Sequence, residues 1–175
     1  MNDVLQQEGL ELHVYGSIVH EAEPLLKQLI DKSRQEHILS TTPKDAATRF
    51  VDMKAIQNWF YKGRLAMMLV RSSDGDLAGM DWFATDEHAQ VSDSHFTYAH
   101  RLYKGYLGRG LSTPFCEAAH DAAGHLLGEQ KVWLTTEQTN VSAIATYEHV
   151  GYKTIGLDGT RLVMTKQLQL DMTTV

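Results

Sequence analysis

Three glycines fall within six residues, Gly105-Tyr106-Leu107-Gly108-Arg109-Gly110. They follow a stretch rich in β-favouring side chains, His95 to Tyr103, and precede one with helical spacing. A strand, a glycine-rich turn and a helix start together make an anion site. Unpaired backbone N–H groups converge there, the helix dipole adds positive potential, and glycine removes the Cβ that would hold off an oxygen-covered ligand. Two versions of such a site fit poorly. A nucleoside-triphosphate loop would use Gly105 and Gly110 with Ser112 as its hydroxyl, but Leu111 stands where the lysine belongs. A dinucleotide fingerprint would use Gly108 and Gly110, but Thr113 replaces the third glycine. Glu137 could serve as its ribose acid, yet too little chain follows to complete that fold.

A second motif lies some thirty residues downstream: Asn140-Val141-Ser142-Ala143-Ile144-Ala145-Thr146-Tyr147-Glu148-His149-Val150-Gly151-Tyr152. Paired in this order with Gly108-Arg109-Gly110-Leu111-Ser112, it resembles the GNAT family of acetyl-CoA-dependent N-acetyltransferases. The likeness is closest from about residue 98 to 156. It implies a three-layer α/β fold, a twisted, mixed and mostly antiparallel sheet of about seven strands with about four helices. The central strands would splay to admit the pantetheine of acetyl-CoA. Backbone amides of Gly108, Arg109, Gly110, Leu111, Ser112 and Thr113 would cradle the pyrophosphate. Leu102 would present backbone groups to the acetyl-pantetheine arm, Asn140 would hydrogen-bond that arm, and Tyr147 would direct its hydroxyl at the sulfur. Two positions depart from the family pattern: Leu107 stands for its Gln/Arg, and Ser112 for its final Gly/Ala.

Each of these roles has a plainer counterpart. Tyr147 shares a helix face with Ala143 and Ile144 and could simply pack on the sheet. Asn140 could be a helix cap. The resemblance implies direct attack by a primary amine, which must first lose a proton. Asp81, Asp93, His95, Tyr98, His100 and Glu137 are the candidate bases, and no one of them stands out. His95 and His100 are an odd number apart on one strand, so at most one faces the site. Metal is not expected, because no His-Glu-x-x-His run occurs and His120 and His125 do not share a helical face. Cys116 reads as a small core residue.

The elements that must position these residues follow from periodicity. Leu10 to Tyr15 alternates as a strand, and Glu21 to Ser33 carries Leu25, Leu26, Leu29 and Ile30 at helical spacing. Thr42-Pro43 opens a second helix that runs to about Gly63. Leu65 to Arg71 and Leu77 to Thr85 form a hairpin over Asp74-Gly75. After the strand at His95 and the glycine turn comes a helix with Glu117, His120 and Asp121 on its solvated face. A strand at Lys131 to Thr136, a helix at Ser142 to His149 and two strands around Asp158-Gly159 close the order.

Length predicts one domain over residues 1–175, with a loose tail after Gln167. Sixteen Lys and Arg against twenty-two Asp and Glu give a formal charge of −6, which argues against nucleic acid as a partner. It mildly favours a small cationic amine as acceptor. A polyamine, aminoglycoside, amino acid or protein amino group all stay open. The single cysteine allows no internal disulfide. Neither a secretory start nor a membrane-length apolar run is visible, so a cytoplasmic protein is expected. The resemblance allows a homodimer, and a CoA-binding sensor without turnover is the alternative reading.

Overall fold

The structure, a computed structural model, describes residues 3–17 and 20–169. Its strands are β1 (Leu10–Tyr15), β2 (Arg64–Arg71), β3 (Leu77–Thr85), β4 (Phe96–Leu102), β5 (Lys131–Glu137), β6 (Lys153–Asp158) and β7 (Arg161–Gln167). They form one sheet in the order β1-β2-β3-β4-β5-β7-β6. Its helices are α1 (Asp3–Gln7), α2 (Glu23–Lys32), α3 (Glu36–Thr41), α4 (Met53–Phe60), α5 (Ser112–Leu127) and α6 (Val141–His149). Short turns join β2 to β3 and β6 to β7, so those pairs are antiparallel, with Gly75 and Gly159 taking positive φ at the reversals. The connection from β4 to β5 crosses over through α5 and returns β5 parallel to β4.

Both faces of the sheet centre are covered, which explains why β3 is buried along almost its whole length rather than on alternate residues. On one face Leu26 and Leu29 of α2 and Ile56 and Phe60 of α4 pack on Met68, Met80 and Trp82. On the other, Phe115, Ala119 and Ala123 of α5 pack on Met67, Leu69 and Phe83. Between β4 and β5 the ladder holds at only two pairs, Phe96↔Val132 and Thr97↔Trp133. Beyond Thr97, β4 stays with β3 as far as Leu102↔Gly79, while β5 stays with β7 as far as Glu137↔Arg161. The central strands therefore splay, as the family resemblance implies.

Three sequence expectations need correction. The helix expected from Thr42 to Gly63 is instead a π-helical turn at Asp45–Arg49 followed by α4, and the unexpected α3 precedes it. The break has a polar cause: Asp45 is drawn inward to bond Arg49 and Arg101, and Asp52 caps α4 by accepting from the Ala55 N–H at 2.8 Å. On α5, His120, expected on the solvated face, is buried. His120 Nδ1 bonds the Cys116 carbonyl at 2.6 Å and Nε2 meets the Tyr152 hydroxyl at 2.8 Å, so burial leaves neither ring nitrogen unpaired. The expected tail is packed at its start, where Leu168 is buried and its N–H donates to the Gln130 carbonyl at 2.7 Å. Residues 170–175 lie outside those described.

Gly79 opposes the last residue of β4, and a Cβ there would lie 2.7 Å from the Arg101 carbonyl oxygen and 2.8 Å from the Phe115 ring. Both β4 and α5 are pressed onto β3 at this point, so the Gly79→Ala variant must move one of them. Urea denaturation is expected to show a loss of about 1–3 kcal/mol, and an unchanged midpoint would contradict this packing.

Candidate active site

Past the end of β4 the chain turns through Gly105, Gly108 and Gly110, with φ of 95°, 72° and 71°. A Cβ at any of the three would meet nothing within 4 Å, so backbone conformation rather than crowding demands glycine. Among the described residues, no amide from Leu107 to Thr113 donates to a protein acceptor, and α5 follows Leu111 without a side-chain cap. These bare donors, joined to the positive end of a sixteen-residue helix, form a ready anion cradle. The Arg109 guanidinium is engaged elsewhere, pairing with Glu8 and lying over the Tyr106 ring.

Beside the turn, the splay opens into a cavity of about 690 Å³. Leu102, Ser112, Asn140 and Tyr147 line it, bringing four of the sequence-derived site residues together. Gly108, Arg109, Gly110, Leu111 and Thr113 belong to the adjoining turn and first helical turn, with the Leu111 side chain buried in the core. Asn140 does cap α6, accepting from the Ala143 N–H at 3.4 Å, and its side-chain NH₂ has no protein acceptor among the described residues. Tyr147 packs edge-on against Tyr98 and Tyr152, yet its hydroxyl donates to no described protein group. Burial pushes that phenol up, so it is held as a proton donor. The Leu102 carbonyl is taken by His37 Nε2 at 2.9 Å, a contact from α3 that the sequence did not anticipate.

Of the candidate bases, only two reach the cavity. Asp93 pairs with Lys131 and His95 with Glu87, both at the opposite end of β4. Glu137 lines the cavity but is engaged by Arg161 at 2.9 Å and by Thr160 at 2.8 Å. Asp81 is fully buried, and its two oxygens take His100 Nδ1–H at 2.7 Å and the Tyr98 hydroxyl. Burial alone would lower the His100 pKa, but Cys116 and Asp81 outweigh it and push it up to about 10. His100 thus lines the cavity as an imidazolium. Asp81, His100 and Cys116 place potential ligand atoms within 4.8 Å of one another, although no metal pattern is visible in the sequence. Their mutual hydrogen bonds account for the arrangement without an ion. The three come from β3, β4 and α5, so no spacing rule could have gathered them.

Fold and site together define an acyl-transfer scaffold, and comparison with known proteins places it. The profile of the acetyltransferase (GNAT) family matches residues 35–152, about two thirds of the chain. The chain belongs to that family. No curated relative matches the sequence. Among solved structures, spermidine N-acetyltransferase from Vibrio cholerae, in complex with CoA and spermine, superposes with a TM-score of 0.70 at 15% identity, covering 92% of this chain and 96% of that one. Aminoglycoside acetyltransferase AAC(6')-Ib, in complex with coenzyme A and kanamycin, gives 0.66 at 16% identity over 90% and 95%. A GNAT-family acetyltransferase from Listeria monocytogenes gives 0.65 at 15% identity over 91% and 96%. At these identities the likeness is one of fold. Among the described residues, no helix is long and apolar enough to cross a membrane.

Two histidines shape the pH dependence of stability. Burial, then Lys166, lowers the His120 pKa to about 3, so the unfolded chain, titrating near ~6.5, takes up the proton first as pH falls. Stability from His120 is therefore present above pH ~6.5 and lost towards acid. His100 has the opposite sign, contributing fully below ~6.5 and losing its contribution as pH rises towards about 10. Melting temperatures are expected to fall on both sides of neutrality. His120→Gln should flatten the acid limb and His100→Gln the alkaline one, and limbs unaltered by either change would refute the assignment.

Proposed function

We propose that this chain is an N-acetyltransferase that passes the acetyl group of acetyl-CoA to a primary amine by direct attack. The observation that carries the reading is the run of unsatisfied amides from Leu107 to Thr113 opening onto the slot between β4 and β5. Those amides hold the pyrophosphate and the slot receives the pantetheine, whose thioester supplies the activated acyl group. The Asn140 NH₂ steadies the arm. Tyr147, protonated and unpartnered, donates to the sulfur as the thiolate leaves. Holding both reactants in one cavity supplies much of the rate gain.

The proton of the incoming ammonium needs an acceptor. His100 already carries a proton, Asp81 is sealed behind it, and Glu137 is saturated. His37 fits the task. A carbonyl can only accept, so the bond to the Leu102 oxygen places a proton on Nε2 and makes Nδ1 the ring atom available to take the amine's proton. The ring is anchored at the end of β4 and lines the cavity.

Thermal-shift measurements are expected to show stabilisation by CoA and acetyl-CoA and none by ATP or NAD. Tyr147→Phe should keep that stabilisation and lose at least ~10-fold in kcat for thiol release with an amine. His37→Gln should lose roughly 10²-fold in kcat/KM, with the loss shrinking at alkaline pH as the amine deprotonates unaided. Stabilisation by CoA without thiol release to any amine would instead identify a non-catalytic CoA sensor.

A further inference from the structure

The charge of the acceptor side differs in sign from that of the chain. Side chains alternate across β4 and β5, so Arg101, Thr135 and Glu137 project to the face covered by α2, α3 and α4, away from α5. On that face the cavity lining holds one carboxylate, Glu137, against two guanidinium groups, Arg101 and Arg161. Glu137 is consumed by Arg161. Behind Arg101 stands Asp45, buried, which takes Arg101 Nε on one oxygen and Arg49 on the other, each at 2.8 Å. One carboxylate thus faces two guanidiniums, leaving a net positive charge beneath the groove. A polycationic acceptor would meet no free carboxylate in the cavity lining and would pay a repulsive cost instead.

Arg161 is also built as a receptor. Its Nε donates to Thr135 Oγ1 at 2.9 Å, one terminal nitrogen to the Thr135 carbonyl at 2.8 Å, and the other to Glu137 at 2.9 Å. Of the five N–H donors of a guanidinium, these bonds use three and leave two, one on each terminal nitrogen. The side chain is 40% exposed and lines the cavity, and its three bonds fix its plane. The remaining N–H groups of this planar, immobilised cation can donate to a carboxylate in a charge-assisted contact.

From this geometry we infer that the acceptor is an amino acid or a similar small amine bearing a carboxylate, with Arg161 as the specificity residue that receives the carboxylate. The inference rests on the acetyl-transfer reading and narrows it. The amine is presented to the acetyl group while the carboxylate is held at the β5–β7 end of the cavity. The chain-wide charge of −6 resides elsewhere on the surface and does not describe the groove.

Initial rates of thiol release from acetyl-CoA test this with free amino acids, the amines formed by removing their carboxyl groups, and spermidine. The amino acid of at least one pair is expected to exceed its decarboxylated partner by 10-fold or more in kcat/KM. Arg161→Gln should collapse that ratio towards one by raising KM for the amino acid, and Arg161→Lys should restore it only in part. Glu137→Gln, which frees the guanidinium from its internal partner, should move the ratio the other way by lowering KM for the amino acid. These opposite signs separate recognition from a general loss of folding. Turnover of spermidine or a decarboxylated amine at or above the amino acids would overturn the inference and leave acetyl transfer standing. CoA binding with no turnover of any amine would overturn both.

Discussion

The structure depends on how briefly β4 and β5 pair. Two residue pairs join them, and then each strand follows its other neighbour. Had the ladder continued, the sheet would be closed at its centre, and the bare amides after Gly105 would face a sealed edge. Because it stops at Thr97, the backbone of β4 beyond that point has an unfilled side on which an extended, amide-bearing ligand can lie. Backbone polar groups must find partners, so the open edge of β4 leaves its N–H and C=O groups to water or to a ligand in the cavity.

A strand released on one side needs other restraints, and polar side chains provide them on both faces. His100 is tied to Asp81 beneath α5, and the next residue, Arg101, is tied to Asp45 beneath α2 to α4. Arg101 also lies 4.8 Å over the Trp82 ring, which fixes it against β3. Buried charge pairs add little net stability, but deleting one partner costs about 3–5 kcal/mol because the other is left uncompensated. Their effect here is positional: they hold the open half of β4 where the cavity needs it. The same pairs set the local charge, protonating His100 and leaving the acceptor face positive.

Much of this was legible in the chain, for identifiable reasons. Strands and turns were readable where local chemistry decides them: alternation in Leu10 to Tyr15, Asp74-Gly75 at the first hairpin, Asp158-Gly159 at the last. The site was legible where it is built from one continuous segment, as in the glycine turn and the cap of α6. The helical region from Glu36 to Phe60 was not, because its breaks answer to Asp45 reaching for Arg101, fifty-six residues away. His37, Arg161 and the Asp81–His100–Cys116 group escaped for the same reason. Each gains its meaning from a partner on another element, and neither periodicity nor spacing carries that information. His120 was misjudged because its i to i−4 bond to the Cys116 carbonyl and its contact with Tyr152 let an imidazole be buried without loss.

The main-chain cradle is tested most directly by titration calorimetry of CoA against pantetheine, which keeps the arm that enters the slot and lacks the diphosphate. If the amides from Leu107 to Thr113 grip that group, CoA must bind more tightly by at least ~100-fold, or about 2.7 kcal/mol. Equal affinities would show that the turn holds nothing and would contradict the account.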